Sequence, residues 1–191
     1  MKKVINKKHR GSGSILVVLI VFAIISGLMI GNGLNIMIVE NQAVQDALQF
    51  SQIACYSKID KKILGNDQEY TVFSNPNDVL NLFKGKLIKN LDLNSDLTVK
   101  NSSTISGKIN IKEFIIYNVK GNTIEIYKLN GDSTFTKSVK DKASGVKTPN
   151  NYVVETTTIH TTLMYDTKFL NYEKENNEAT LDTDIAKDEK N

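Results

Sequence analysis

The sequence is short of the residues that carry most enzyme chemistry. It has one cysteine, two histidines and two prolines in 191 residues. A single cysteine excludes a disulfide-stapled mini-protein and any intrachain bridge. One Cys with two distant His, His9 and His160, cannot supply the three or four ligands of a zinc site. Gly11-Ser12-Gly13-Ser14 is not followed by Gly-Lys-Ser/Thr, so no phosphate loop is present. Asp132 after Asn130-Gly131 lacks the glutamate that closes an EF-hand. No nucleophile, base and orienting carboxylate are visible as a set, so the expectation is that the chain is not an enzyme and carries no cofactor. His160 reads as part of a wet, threonine-rich strand face.

Charge is also missing where it matters. From Gly11 to Val39 there is no charged residue. The run 14–39 is long enough to cross a bilayer, which takes about 20 apolar residues as helix. A cleaved signal peptide fits residues 15–25 by length, but no A-x-A site follows, and Gly31-Asn32-Gly33 is a poor substitute. A buried helix of a soluble domain is the third reading. The retained anchor is the expectation, because Lys2, Lys3, Lys7, Lys8 and Arg10 place five positive charges directly before the run. That asymmetry predicts a cytoplasmic N-terminus and an extracytoplasmic main domain. The other 181 residues carry a net charge of −2, so nucleic-acid binding gets no support. Within the run, Ala23, Gly27 and Gly31 recur every four residues on one helix face, a spacing that lets membrane helices approach closely.

No proline interrupts the chain before Pro76. Val44, Leu48, Cys55, Ile59 and Ile63 fall at helical spacing, which predicts one continuous helix over 14–64, stopped at Gly65-Asn66. Cys55 on that stripe reads as a packing residue, with an interchain bridge as the other possibility. A short second helix is predicted from an Asn75 cap, Pro76 at the first position, Asp78 in the first turn and a Leu80, Phe83, Leu87, Leu91 stripe. From residue 97 the period becomes two. Gly121-Asn122 predicts a hairpin with Val119 opposite Ile124 and Tyr117 opposite Ile126. Asn130-Gly131 predicts a second hairpin with Ile126 opposite Phe135. These turns put Ile109, Ile111, Ile115, Tyr117 and Val119 on one apolar face. Residues 140–151 read as a loop. A last strand follows over 152–165, with Val153, Ile159, Leu163 and Tyr165 inward and Thr156, Thr158, His160 and Thr162 outward. Residues 171–191 have few apolar side chains and read as a disordered charged tail.

The predicted architecture is α+β: a long N-terminal helix with a transmembrane first half, one short helix, and a small antiparallel sheet of four or five strands. The expected divisions are a basic segment 1–13, a span 14–39, an extracytoplasmic domain 40–170 and a tail 171–191.

This layout resembles type IV pilin-like proteins, and among them the TadE-like minor pseudopilins of Tad (Flp) pilus systems. Lys7-Lys8-His9-Arg10-Gly11-Ser12 before the run and Val39-Glu40-Asn41-Gln42-Ala43-Val44-Gln45-Asp46-Ala47-Leu48 after it carry the resemblance, which covers roughly residues 7–60. It implies a bacterial plasma-membrane protein whose apolar helix bundles with other subunits, so that lipid and pilin-like neighbours are its partners, with no small-molecule substrate evident. It also implies cleavage after Gly11, leaving Ser12 first. Such pilins usually carry glutamate at the fifth mature position. Here that position is Leu16, or Val18 if the cut follows Gly13. The departure suits a minor or uncleaved component. A signal-anchored binding module with no polymerising role is the alternative.

Overall fold

The computed structural model describes residues 12–60, 71–100, 105–169 and 172–185. The chain divides into two compact units, Met1–Ile38 and Val39–Asn191. One helix, α1 (Ser12–Cys55), contributes to both. In the first unit its side chains from Ile15 to Ile30 are almost wholly apolar and, apart from the half-buried Ser26, solvent-exposed. This is the one helix among the described residues long and apolar enough to cross a membrane.

The second unit is α+β, as the sequence predicts. Its elements are the outer part of α1, α2 (Pro76–Asn90), β1 (Ile105–Lys120), β2 (Thr123–Asn130), β3 (Thr134–Asp141), β4 (Thr158–Phe169) and β5 (Tyr172–Asp184). The five strands form one antiparallel sheet in the order β3-β2-β1-β4-β5. One face packs on the helices. Val44, Ala47, Leu48 and Cys55 of α1 meet Val79, Leu80, Phe83 and Leu87 of α2, together with Ile109, Phe114, Ile116, Ile159, Leu163 and Tyr165 of the sheet. Aromatic packing joins the layers, with the Phe83 and Phe114 rings 5.1 Å apart. The α2 start is as predicted: Asn77 N–H donates to the Asn75 side chain at 3.0 Å, and Pro76 occupies the first turn, where no intrahelical donor is needed.

The long helix is shorter than its stripe suggests. It ends at Cys55, and one 3₁₀ turn, Tyr56–Lys58, follows. Ile59 then pairs with Phe73, and Asp60 N–H donates to Val72 O at 2.9 Å. Tertiary strand-like pairing outweighs local helix preference here. Segment 71–75 is fixed further by Asn118, whose amide both accepts from Phe73 N–H and donates to Phe73 O. Ile63, Gly65 and Asn66 lie outside the described residues.

Four strand-level expectations are corrected. The first hairpin has the predicted register, Val119 opposite Ile124 and Tyr117 opposite Ile126. The second does not. Asn130 pairs with Thr134 across a three-residue turn, so Phe135 lies opposite Leu129 and Ile126 lies opposite Ser138. An odd change of register moves every β3 side chain to the other face, and Phe135 reaches the helix-facing core.

The second correction is in β1. Its pairing with β4 is broken between Ser106 and Asn110 and again between Ile111 and Glu113. Gly107, at φ +71°, takes the left-handed conformation inside the first break. The second break inserts one residue and reverses the alternation. Ile109 therefore faces the helices, whereas Ile115, Tyr117 and Val119 face away.

Third, the last strand predicted over 152–165 is observed as Thr158–Phe169. Residues 145–157 instead form a strap across the outward sheet face, closed by Val154 N–H to Val146 O and Thr148 N–H to Tyr152 O, each 2.9 Å. Val146 and Val154 bury against Ile115, Tyr117, Val119 and Ile124. Val153, predicted inward, is exposed.

Fourth, the expected disordered tail is largely strand. β5 pairs with β4 from Tyr172 to Asp184. Ala179 and Leu181 face the core, and α1 reaches across to the strand backbone: Gln52 Nε2 donates to Leu181 O at 3.1 Å and Tyr56 OH donates to Thr183 O. A ladder partner plus two apolar side chains orders a segment whose composition alone would not. Residues 186–191 lie outside the described residues.

Candidate functional site

Of the residues singled out from sequence, Gly11 lies outside the described residues and Ser12 is the first residue of α1. Ala23, Gly27 and Gly31 are exposed along α1, and a Cβ added at Gly27 or Gly31 would meet nothing within 4 Å. Small residues thus leave an open strip on this helix. Cys55 is wholly buried, its thiol donating to Ser51 O at 3.2 Å, so it packs and is closed to a partner chain in this fold.

In the second unit, the α1 face opposite Val44, Leu48 and Cys55 carries Val39, Phe50 and Ile53, exposed by 67%, 64% and 47%. At 100° per residue these three fall within a narrow arc of the helix, which they share with the exposed Asp46, the acceptor of the Gln42 side-chain amide at 2.9 Å. Sequence reading picked out only the buried stripe. The signal for the second one was the apolar pair Phe50 and Ile53 three residues apart, off the core-facing side.

The most concentrated polar cluster lies on the outward sheet face, under the strap. His160 of β4 is paired in register with Ile115 of β1 and Asp182 of β5. Its side chain is 0% exposed, which corrects the expectation of a wet face. Nδ1 lies 2.7 Å from Asp182 Oδ1, and Nε2 lies 3.4 Å from both Glu113 Oε2 and Thr162 Oγ1. Thr148 Oγ1 of the strap donates to Asp182 Oδ2 at 3.0 Å. Burial raises the Asp182 pKa, but the His160 ring, Asn150 and Thr148 outweigh it and hold the carboxyl below the usual range. Two residue pairs further along the ladder, Tyr152 OH donates to Asp184 Oδ2 at 2.6 Å. Two β5 carboxylates thus tie the strap to the sheet.

Thr162, His160 and Asp182 stand in the order of nucleophile, base and carboxylate. The hydroxyl-to-ring distance of 3.4 Å is long, and both Thr162 and His160 are buried beneath the strap. Two surface cavities, of about 280 and 390 Å³, are lined by neither residue. The arrangement closes a polar layer under the strap. Among the described residues, no group of three or more His, Cys, Asp or Glu is disposed to hold a metal ion. Neither Asp182 nor Glu113 was visible as a partner of His160 from sequence. The three come together only through the β1-β4-β5 pairing, after the β1 break.

Comparison with protein families, curated proteins and solved structures finds no match to the chain.

Proposed function

We propose that the chain is a membrane-anchored, pilin-like subunit of the minor pseudopilin type, serving a bacterial envelope pilus, secretion or DNA-transfer apparatus. In this reading the basic N-terminus stays in the cytoplasm, residues 14–39 span the plasma membrane, and the sheet domain lies outside. At 1.5 Å per residue, residues 15–38 extend about 36 Å, enough for a hydrocarbon core of about 30 Å.

The observation that carries the reading is that Val39, Phe50 and Ile53 are exposed on one face of α1, with Asp46 the one charge among them on that face. A simple tether needs apolar surface only within the bilayer. A subunit that packs its helix against neighbours needs that surface to continue into the folded domain. The open strip at Ala23, Gly27 and Gly31 supports the same packing within lipid. The alternative, a signal-anchored binding module, gives the stripe no role.

The test is a Phe50→Asp/Ile53→Asp double variant in native membranes, read by cross-linking between copies and to other membrane proteins. The expected result is loss of higher-order cross-links with an unchanged melting temperature, because neither side chain is buried. Unchanged cross-links would favour the tethered module. Intact mass of the mature protein completes the test: a chain beginning at Ser12 or Ser14 indicates prepilin-type processing.

A further inference from the structure

The outward face of the sheet carries one feature that subunit assembly does not use. Beside the strap lies the cavity of about 390 Å³, with Tyr117 in its floor. Lys128, Lys140 and Lys147 line it, with the hydroxyls of Thr136 and Ser138, and no acidic residue does. Lys128 is partly neutralised by Glu113 at 3.4 Å. Lys140 and Lys147 make no ion pair among the described residues, whereas Lys112, Lys120 and Lys137 of the same sheet each hold a carboxylate. Past the first ten residues the chain is net negative, so this concentration of cations is local rather than background.

Ammonium groups on flexible stems act as point charges and suit a phosphoryl group, which presents several oxygens and more than one negative charge. The hydroxyls add donors for the same oxygens or for a sugar or glycerol backbone. The half-buried Ile126 beside the packed Tyr117 gives the floor an apolar patch for the C–H face of such a backbone, and the cavity is of ligand size. We infer that this cavity binds a phosphoryl group carried on a small polyol. The inference does not depend on the pilin-like reading. The polyol phosphate has two sources within reach of a membrane-anchored domain: a free soluble ester, or the headgroup of an anionic lipid.

The full chain in phosphatidylcholine nanodiscs is titrated with glycerol 3-phosphate by calorimetry. Saturable binding is expected, weakening with salt as screening requires. A Lys140→Gln/Lys147→Gln variant should bind about tenfold or more weakly, with two charge-assisted contacts gone. Lys137→Gln, on the helix-facing side of β3, should bind as the parent does. Repeating the titration in phosphatidylglycerol nanodiscs separates the sources. Competition there identifies the headgroup, and undiminished binding identifies the soluble ester. Absence of saturable binding in both discs overturns the proposal, as does equal affinity of the double lysine variant. Acetate binding as tightly as the phosphate ester overturns the phosphoryl assignment.

Discussion

Replacing Asp182 by alanine is expected to release the strap while the rest of the domain stays folded. The carboxylate has three partners: His160 Nδ1 at 2.7 Å, Thr148 Oγ1 at 3.0 Å, and the Asn150 side chain. Removing the acceptor leaves the buried His160 Nδ1 and the Thr148 hydroxyl without their hydrogen bonds, which costs about 1–3 kcal/mol. Domains have total stabilities of about 5–15 kcal/mol, so a loss of this size leaves the fold standing with the strap opened locally. With no tryptophan and seven tyrosines, unfolding of the full chain in detergent is best followed by tyrosine fluorescence in urea. Hydrogen exchange at Thr148 and Val154, whose N–H groups close the strap, reports its opening separately. Asp182→Asn keeps an acceptor for Thr148 and should lose about half as much. The pH dependence has a definite sign. The Asp182 pKa is lowered from 3.8, so its contribution is fully present above that value and is lost as pH falls through the lower folded value. Wild-type strap protection should fall only below about pH 4, and the alanine variant should be flat across the same range. A cost under about 1 kcal/mol with unchanged exchange at Val154 would refute the reasoning, since the cluster would then not hold the strap.

Other perturbations test the core and the apolar run. Thr161 Oγ1 is buried with no hydrogen-bond partner among the described residues. Thr161→Val should stabilise by about 1 kcal/mol and raise Tm by about 2–4 °C. A fall in Tm would show that the hydroxyl has a partner. Phe83, wholly buried against Phe114, should cost about 3–5 kcal/mol as alanine, read as a shift of the urea midpoint at unchanged slope. Gly27→Asp puts a charge into the apolar run, a cost of about 2.5–3.5 kcal/mol near a bilayer centre. It should lower the membrane fraction on carbonate extraction, whereas Gly27→Ala should not.

The helices were legible because their signals are local. The Asn75 cap, Pro76 and the Leu80, Phe83, Leu87 stripe all lie within α2 and need no distant partner. The Gly121-Asn122 hairpin was legible for the same reason. Legibility failed where one inserted residue changes a face. The break between Ile111 and Glu113 in β1 turns Ile115, Tyr117 and Val119 away from the helices, and nothing in the alternation itself marks it. The three-residue turn after Asn130 shifts the β3 register by an odd number and puts Phe135 opposite Leu129, in the helix-facing core. β5 was missed for another reason. Its order comes from backbone pairing with β4 and from Gln52 and Tyr56 on α1, groups far away in sequence.

The same break in β1 explains why this small sheet has two packed faces. With strict alternation, Ile109, Ile111, Ile115, Tyr117 and Val119 would all have joined the helix-facing core, leaving Phe114 and Ile116 outside. The inserted residue sends Phe114 and Ile116 inward and supplies the outward face with its own apolar set, Ile115, Tyr117 and Val119. Such a set needs cover, and the strap provides it with Val146 and Val154. Once covered, the neighbouring row of His160, Thr162 and Thr158 is buried as well and requires partners, which Glu113 and Asp182 supply. The cavity lined by Lys128, Lys140 and Lys147 lies along the strap at Val146 and Lys147, over strand β3. The buried histidine cluster, the strap and the cationic cavity are therefore linked consequences of one strand irregularity, on the side of the sheet that the long helix does not occupy.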